Sequence, residues 1–133
     1  MRLARLVLLA SAAAFAAIAL PFLAAPSSMA ERVGLSLSGA LADNDVRAVY
    51  GGLQLGCAAF LAACAGRPRW AGVGLGAQIL LFGGLALGRF VSWLAVGLPG
   101  GLGLSLHGAE MLGLVLGILA LRRLPHGPDR EMG

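Results

Sequence analysis

The chain has 133 residues and a net charge of +4; 59% of its residues are hydrophobic and only 12% are charged. A water-soluble domain usually carries about a quarter charged residues, so this composition excludes an ordinary soluble fold and predicts one compact unit, residues 1–133, with a surface covered by lipid. The arginines lie at the ends of apolar runs and form no basic patch interleaved with aromatics, so nucleic acid is not an expected partner.

The first predicted transmembrane helix covers residues 6–25 and follows Arg2 and Arg5. About twenty residues at about 1.5 Å each span about 30 Å, the thickness of a hydrocarbon core. A basic start, an apolar run and small residues at 28–30 are also typical of a cleaved signal peptide. We favour a retained helix because the apolar run is longer than the usual signal core of about 7–15 residues.

Three further apolar runs follow a connecting segment, residues 26–45. Turn signals bound these runs, with Gly66 and Pro68 after the second and Pro99 with two glycines after the third. The tail, residues 124–133, is polar, contains two prolines and is predicted to be disordered. The sequence therefore predicts an all-α, integral membrane four-helix bundle with helices at about 6–25, 46–65, 70–92 and 102–121.

The distribution of arginines predicts the orientation of this bundle, because cytoplasmic segments of membrane proteins carry an excess of basic residues. Seven arginines fall on one side of the predicted helices and three on the other. Both termini are therefore expected in the cytoplasm. The larger group is Arg2, Arg5, Arg67, Arg69, Arg122, Arg123 and Arg130, and the smaller group is Arg32, Arg47 and Arg89.

Pairs of glycines four residues apart occur on the second, third and fourth predicted helices. This spacing leaves a flat groove on one helix face, where another backbone can approach closely. The groove serves either packing within one bundle or contact with a second copy or another membrane protein. The predicted helix-packing glycines are Gly52, Gly56, Gly84, Gly88, Gly113 and Gly117.

A small set of polar side chains within the apolar runs needs an explanation, because ionisable groups in membrane helices are costly and usually face the bundle interior. On the second helix three of them are spaced i, i+3 and i+7 and share one face if the helix is regular. By the predicted topology all six converge in the outer half of the bundle, with Glu110 about 12 Å deep. They are Arg47, Tyr50, Gln54, Arg89, His107 and Glu110.

Three interpretations of this cluster remain open from the sequence. The first is a structural network in which Glu110 pairs with Arg47 or Arg89. The second is a site for a lipid headgroup or small anion, since two arginines against one carboxylate leave a net positive charge. The third is proton or redox chemistry at Glu110 and His107. No catalytic residue is assigned and no cofactor is expected. No metal site is expected either, because His107 and His126 fall on opposite membrane faces and cannot share a metal ion.

Two sequence elements resemble a bacterial family of small membrane proteins that is catalogued as a domain of unknown function. The more specific one is the Arg-Ala-x-Tyr-Gly-Gly element within residues 45–56, and the second is the glycine-rich stretch 82–89 on the third helix. Glu110 and the closing residues 121–123 extend the resemblance to most of the chain. It implies a four-helix protein with a retained first helix in the bacterial inner membrane, and it supplies no activity.

The sequence leaves three functional hypotheses. The first is a non-enzymatic accessory or interaction subunit of a membrane complex, favoured by the glycine grooves and the absence of a catalytic motif. The second is a binder or carrier of a lipid or small amphiphile, with the polar cluster as its site. The third is a small membrane enzyme acting on a hydrophobic substrate, with Glu110 or His107 as acid or base. The expected partners are membrane lipids and, for the first hypothesis, other membrane subunits or a second copy.

Overall fold

The computed structural model describes residues 1–125, which are all-helical and contain no strand. Four of the helices are long and apolar enough to cross a membrane. The predicted all-α class with four membrane-spanning helices is therefore confirmed. The predicted disordered tail falls largely on residues 126–133, which lie outside the described residues, as do His126 and Arg130.

Five helical elements follow one another along the chain. The four long ones are α1, α3, α4 and α5, and the short α2 lies in the connection between α1 and α3. Helix α4 opens with a 3-10 turn, Pro68–Trp70, before its α-helical part. The bounds are α1 Arg2–Ala24, α2 Pro26–Arg32, α3 Gly39–Ala65, α4 Pro68–Val96 and α5 Gly101–Arg122.

Two of the long helices begin earlier than the apolar runs that predicted them. Helix α1 begins at Arg2 and not near residue 6, and α3 begins at Gly39 and not near residue 46. Hydropathy identifies only the part of a helix that lies in hydrocarbon, whereas backbone hydrogen bonding continues into polar residues at either end. At its other end, α4 stops at Gly97, whose φ of +91° ends the helix.

The core of the bundle forms around α1, which packs against α3, α4 and α5. Leu8 on α1, Leu61 on α3 and Leu75 on α4 are fully buried together. Phe15 on α1 stacks on Phe82 of α4 with ring centroids 5.3 Å apart. Of the four spanning helices α1 is the most enclosed, so the other three are arranged around an apolar helix and not around a polar channel.

The predicted packing glycines divide into two groups. At Gly113 and Gly117 on α5, an added Cβ would lie 2.7 Å from the Phe82 ring and 3.1 Å from Ile79, so these two do allow close approach of α4 and α5. The amide Nε2 of the fully buried Gln78 donates to the Gly113 carbonyl at 3.0 Å across this contact. An added Cβ would meet nothing within 4 Å at the other four positions, Gly52, Gly56, Gly84 and Gly88.

Two glycines that the four-residue spacing did not single out also allow close approach. A Cβ at Gly74 would lie 2.5 Å from Cys64 Cβ, where α3 and α4 meet. A Cβ at Gly51 would lie 2.7 Å from Leu23 Cδ2, where α3 meets α1. Spacing alone cannot identify these positions, because it says which glycines share a face and not which face meets a neighbour.

Candidate functional site

An ion pair between α4 and α5 forms the polar centre of the site. Arg89 Nε donates to both carboxylate oxygens of Glu110, each at 2.8 Å. The Glu110 side chain is only 9% exposed, and that of Arg89 is 33% exposed. An unpaired carboxylate at this depth would be strongly unfavourable, so Arg89 is the partner that allows Glu110 to be charged within the bundle.

His107 lies beside this ion pair, one turn before Glu110 on α5. Its imidazole packs against Trp93 of α4 with ring centroids 4.4 Å apart. Its Nδ1 is 4.0 Å from Glu110 Oε2, too long for a hydrogen bond, and this buried nitrogen has no hydrogen-bond partner among the described residues. His107 therefore supports the α4–α5 contact mainly through its ring.

The segment Arg47–Leu53 in the middle of α3 is a π-helix, and it coincides with the Arg-Ala-x-Tyr-Gly-Gly element. Its hydrogen bonds join residues five apart, so each turn holds more residues than a turn of α-helix. Gly51 lets this wider turn lie directly against Leu23 of α1. Tyr50 stacks on Phe22 of α1 with ring centroids 5.0 Å apart. π-Helical segments occur frequently at functional sites.

The π-helix changes which residues of α3 share a face. Residues spaced i, i+3 and i+7 align in an α-helix but not in a wider turn, so Arg47 does not lie beside Tyr50 and Gln54. Arg47 Nη1 instead lies 3.1 Å from Asp43 Oδ2, one turn earlier on α3. The expected pairing of Glu110 is thus made by Arg89, and Arg47 lies outside the cluster.

A cavity of about 820 Å³ opens beside the Arg89–Glu110 pair, at the end of the bundle where α3 begins. We call this the amphiphile cavity. Its walls are mostly apolar, and its polar lining comes from four residues of the predicted cluster, Tyr50, Gln54, Arg89 and Glu110. The carbonyl oxygen Oε1 of Gln54 is buried there without a hydrogen-bond partner among residues 1–125. A mostly apolar cavity with a few converging polar groups is the usual form of a small-molecule site.

The sequence did not identify the apolar walls of this cavity. One wall is the small-residue face of α1, and residues of the two connecting segments, 33–35 and 99–100, also line the cavity. The alanine-rich run in α1 could have suggested the space, since small side chains leave room beside a helix. It does not show which other elements of the bundle surround that space. The apolar lining includes Ala14, Ala17 and Ile18 of α1, Met29, Val33 and Leu35 of the α2 region, and Pro99, Leu102, Leu106 and Ala109 around the start of α5.

Within residues 1–125 no group of histidine, cysteine, aspartate and glutamate side chains has the geometry of a metal site. Cys57 and Cys64 are both free thiols. The arrangement offers a paired carboxylate, hydrogen-bonding amide and phenol groups, and apolar walls. These groups suit non-covalent binding.

Residues 3–121 match a family model that is described as a domain of unknown function, DUF4345. The match includes α1 from its second residue onward and all four residues that form the polar lining of the amphiphile cavity. No curated protein and no solved structure matches the chain.

Proposed function

The chain belongs to the DUF4345 family, and we propose that it is a membrane protein that binds a lipid-like amphiphile in the amphiphile cavity. The observation that carries this proposal is the cavity itself, about 820 Å³ of mostly apolar space beside a buried ion pair. Ligand cavities in proteins commonly measure about 300–1,000 Å³, so the space is of the right size for one small amphiphile.

The polar lining favours an uncharged or zwitterionic head over a simple anion. The sequence suggested a net positive site because it placed two arginines against one carboxylate. With Arg47 held by Asp43, only Arg89 faces Glu110, and the two charges cancel. Arg89 uses Nε for this pair, which leaves the rest of its guanidinium able to donate to an oxygen on the head. The unpartnered Gln54 Oε1 can accept from a hydroxyl or amide.

The cavity walls suit a hydrocarbon tail. Phe22, Ile18 and Phe82 line the cavity, and burial of a methylene group against such side chains contributes about 0.8 kcal/mol. Met29 adds an unbranched side chain that can adjust to different tails. The tail thus supplies most of the affinity, and the polar groups fix the position of the head.

We also propose that the cavity opens toward the outer face of a bacterial inner membrane. The support is the arginine distribution, since Arg2, Arg5, Arg67 and Arg69 lie at the end of the bundle away from the cavity. The positive-inside rule assigns that end, with both termini, to the cytoplasm. A ligand would then enter from the outer leaflet or the periplasm.

Replacement of Ala109 by Phe should abolish ligand binding while the fold survives, because the added ring fills the amphiphile cavity and removes no existing contact. The matched control is Ala59→Phe, at an exposed position of α3 that does not line the cavity. Each protein is purified in mild detergent and extracted with solvent, and the co-purified small molecules are quantified by mass spectrometry. We expect one compound enriched with wild type and Ala59→Phe and at least about tenfold depleted with Ala109→Phe. Equal amounts from all three proteins would contradict the proposal.

A second candidate function, an accessory subunit of a membrane complex, is favoured by the open glycines of α3. Gly52 and Gly56 present a flat strip with nothing within 4 Å of an added Cβ. Gly52→Leu should therefore leave the bundle intact and detach a partner docked on this strip. The measurement is co-purification from the native membrane, with Leu53→Ala as a control that removes bulk beside the strip. Unchanged co-purification in Gly52→Leu would exclude docking at this strip.

A further inference from the structure

The end of the bundle opposite the amphiphile cavity carries a concentration of positive charge. Three pairs of arginines meet there, from the start of α1, the α3–α4 turn and the end of α5. Leu124, just after α5, lies 3.7 Å from where a Cβ of Gly72 would be, which shows that the end of α5 adjoins the start of α4. We call these six residues the arginine end: Arg2, Arg5, Arg67, Arg69, Arg122 and Arg123.

Within residues 1–125 this charge is not neutralised by carboxylates. Glu31, Asp43 and Asp45 lie on the α2 and α3 segments at the other end of the bundle, and Glu110 is paired with Arg89. No ion pair among the described residues includes an arginine of the arginine end. Positive charges grouped in this way repel one another, and a bound anion relieves this repulsion.

The arginine end has a depression that provides room for such an anion. It measures about 210 Å³ and lies between the first turns of α1 and the α3–α4 turn. Met1, Arg2 and Arg5 supply its charged lining, and the rest of the lining includes Gly66, Pro68 and the buried Leu8. This volume suits a headgroup and not a whole phospholipid, whose acyl chains would have to lie along the outside of the helices.

An aromatic residue places this depression at the depth of lipid headgroups. Trp70 lies in the opening turn of α4, between Pro68 and Ala71 of the depression, and is 39% exposed. The guanidinium carbons of Arg67 and Arg69 lie 4.9 Å and 5.7 Å from the centre of its ring. Tryptophan is enriched at the membrane–water interface, and basic pockets between membrane helices at the cytoplasmic side bind anionic headgroups.

We propose that the depression at the arginine end is a binding site for the phosphodiester headgroup of an anionic phospholipid. The phosphate contacts Arg2 and Arg5, and the acyl chains lie on the apolar surface beside α1 and α4. This site is distinct from the amphiphile cavity in position and in charge, since it is strongly positive and the cavity lining is neutral. It does not depend on the function proposed for the cavity.

The test compares phosphatidylglycerol with phosphatidylcholine of the same acyl chains. Each lipid is titrated into delipidated full-length protein in mild detergent, and lipid adducts are counted by native mass spectrometry. Because the titration is carried out in detergent, an effect of the variants on membrane orientation cannot alter the measured lipid binding. We expect wild type to bind phosphatidylglycerol at least about tenfold more tightly, and Arg2→Gln/Arg5→Gln to lose most of this preference. Arg2→Lys/Arg5→Lys should retain it in large part, because the charge is kept.

Arg122→Gln/Arg123→Gln is the matched control, because it removes the same charge from the arginine end without altering the lining of the depression. This variant should keep most of the preference. An equal loss in both double glutamine variants would show diffuse attraction and would overturn the proposal. Inorganic phosphate is added as a competitor, and if it displaces the lipid at millimolar concentration the site is one for free phosphate, which would also overturn the lipid assignment.

Discussion

Glu110→Gln should lower the free energy of unfolding by about 2–4 kcal/mol, because it leaves the Arg89 guanidinium without its carboxylate partner inside the bundle. Removal of one partner from a fully buried pair costs about 3–5 kcal/mol, and the partial exposure of Arg89 reduces that cost. The single Nε–H of Arg89 is shared between both carboxylate oxygens at 2.8 Å, so the loss comes from the missing negative charge of the acceptor and not from several hydrogen bonds. Reversible unfolding in mixed detergent micelles measures the difference.

A double-mutant cycle shows whether the effect comes from the ion pair. Arg89→Gln alone should also destabilise the protein, because it leaves the Glu110 carboxylate buried and unpaired. The double variant Arg89→Gln/Glu110→Gln contains no charge and should recover a large part of the combined loss, with a coupling of about 1–3 kcal/mol. Additive effects would contradict an ion pair at this position.

Gly74→Ala should lower the free energy of unfolding by about 1–3 kcal/mol, although alanine favours a helix more than glycine does. The added Cβ would lie 2.5 Å from Cys64 Cβ and 3.1 Å from Leu8 Cδ2. The Cys64 Cβ is fixed to the backbone of α3 and cannot rotate away, so α3 and α4 must move apart. This separation would disturb the fully buried cluster around Leu8 and Leu75. Thermal unfolding in detergent, followed by circular dichroism, reports the loss.

Gly76→Ala is the matched control for Gly74→Ala, since it makes the same change two residues later on the same helix. A Cβ at Gly76 would meet nothing within 4 Å. The control should therefore be neutral or stabilising by up to about 1 kcal/mol, because alanine loses less backbone entropy in a helix. If both variants were equally destabilised, helix flexibility and not the contact with Cys64 would be the cause.

The sequence predicted the four long helices well because hydrocarbon imposes simple rules. Each spanning helix needs about 20 apolar residues, and glycine or proline marks its end. Resemblance to a family of unknown function was also confirmed by the match over residues 3–121. The Arg-Ala-x-Tyr-Gly-Gly element, which carried that resemblance, has a structural counterpart in the π-helix of α3.

The detailed site could not be predicted because it depends on geometry that spacing does not encode. Helical periodicity placed Arg47 with Tyr50 and Gln54, but the π-helix shifts the phase and Arg47 pairs with Asp43 instead. Arg89, and not Arg47, is the partner of Glu110 because α4 packs on α5, and residue spacing does not encode that packing. The amphiphile cavity exists because some of the side chains around it are small, such as those of Ala14 and Ala109. A single sequence does not show where small side chains from different helices leave a common space.

The most direct test of the central claim, that the amphiphile cavity holds a ligand, is native mass spectrometry of the protein extracted gently from its own membrane. Apart from any phospholipid bound at the arginine end, wild type should carry one extra small mass per chain, Ala59→Phe should carry the same mass, and Ala109→Phe should lack it. Such a spectrum would identify the molecule held beside Arg89 and Glu110. A wild-type chain without any such mass, or the same mass retained by Ala109→Phe, would contradict the claim.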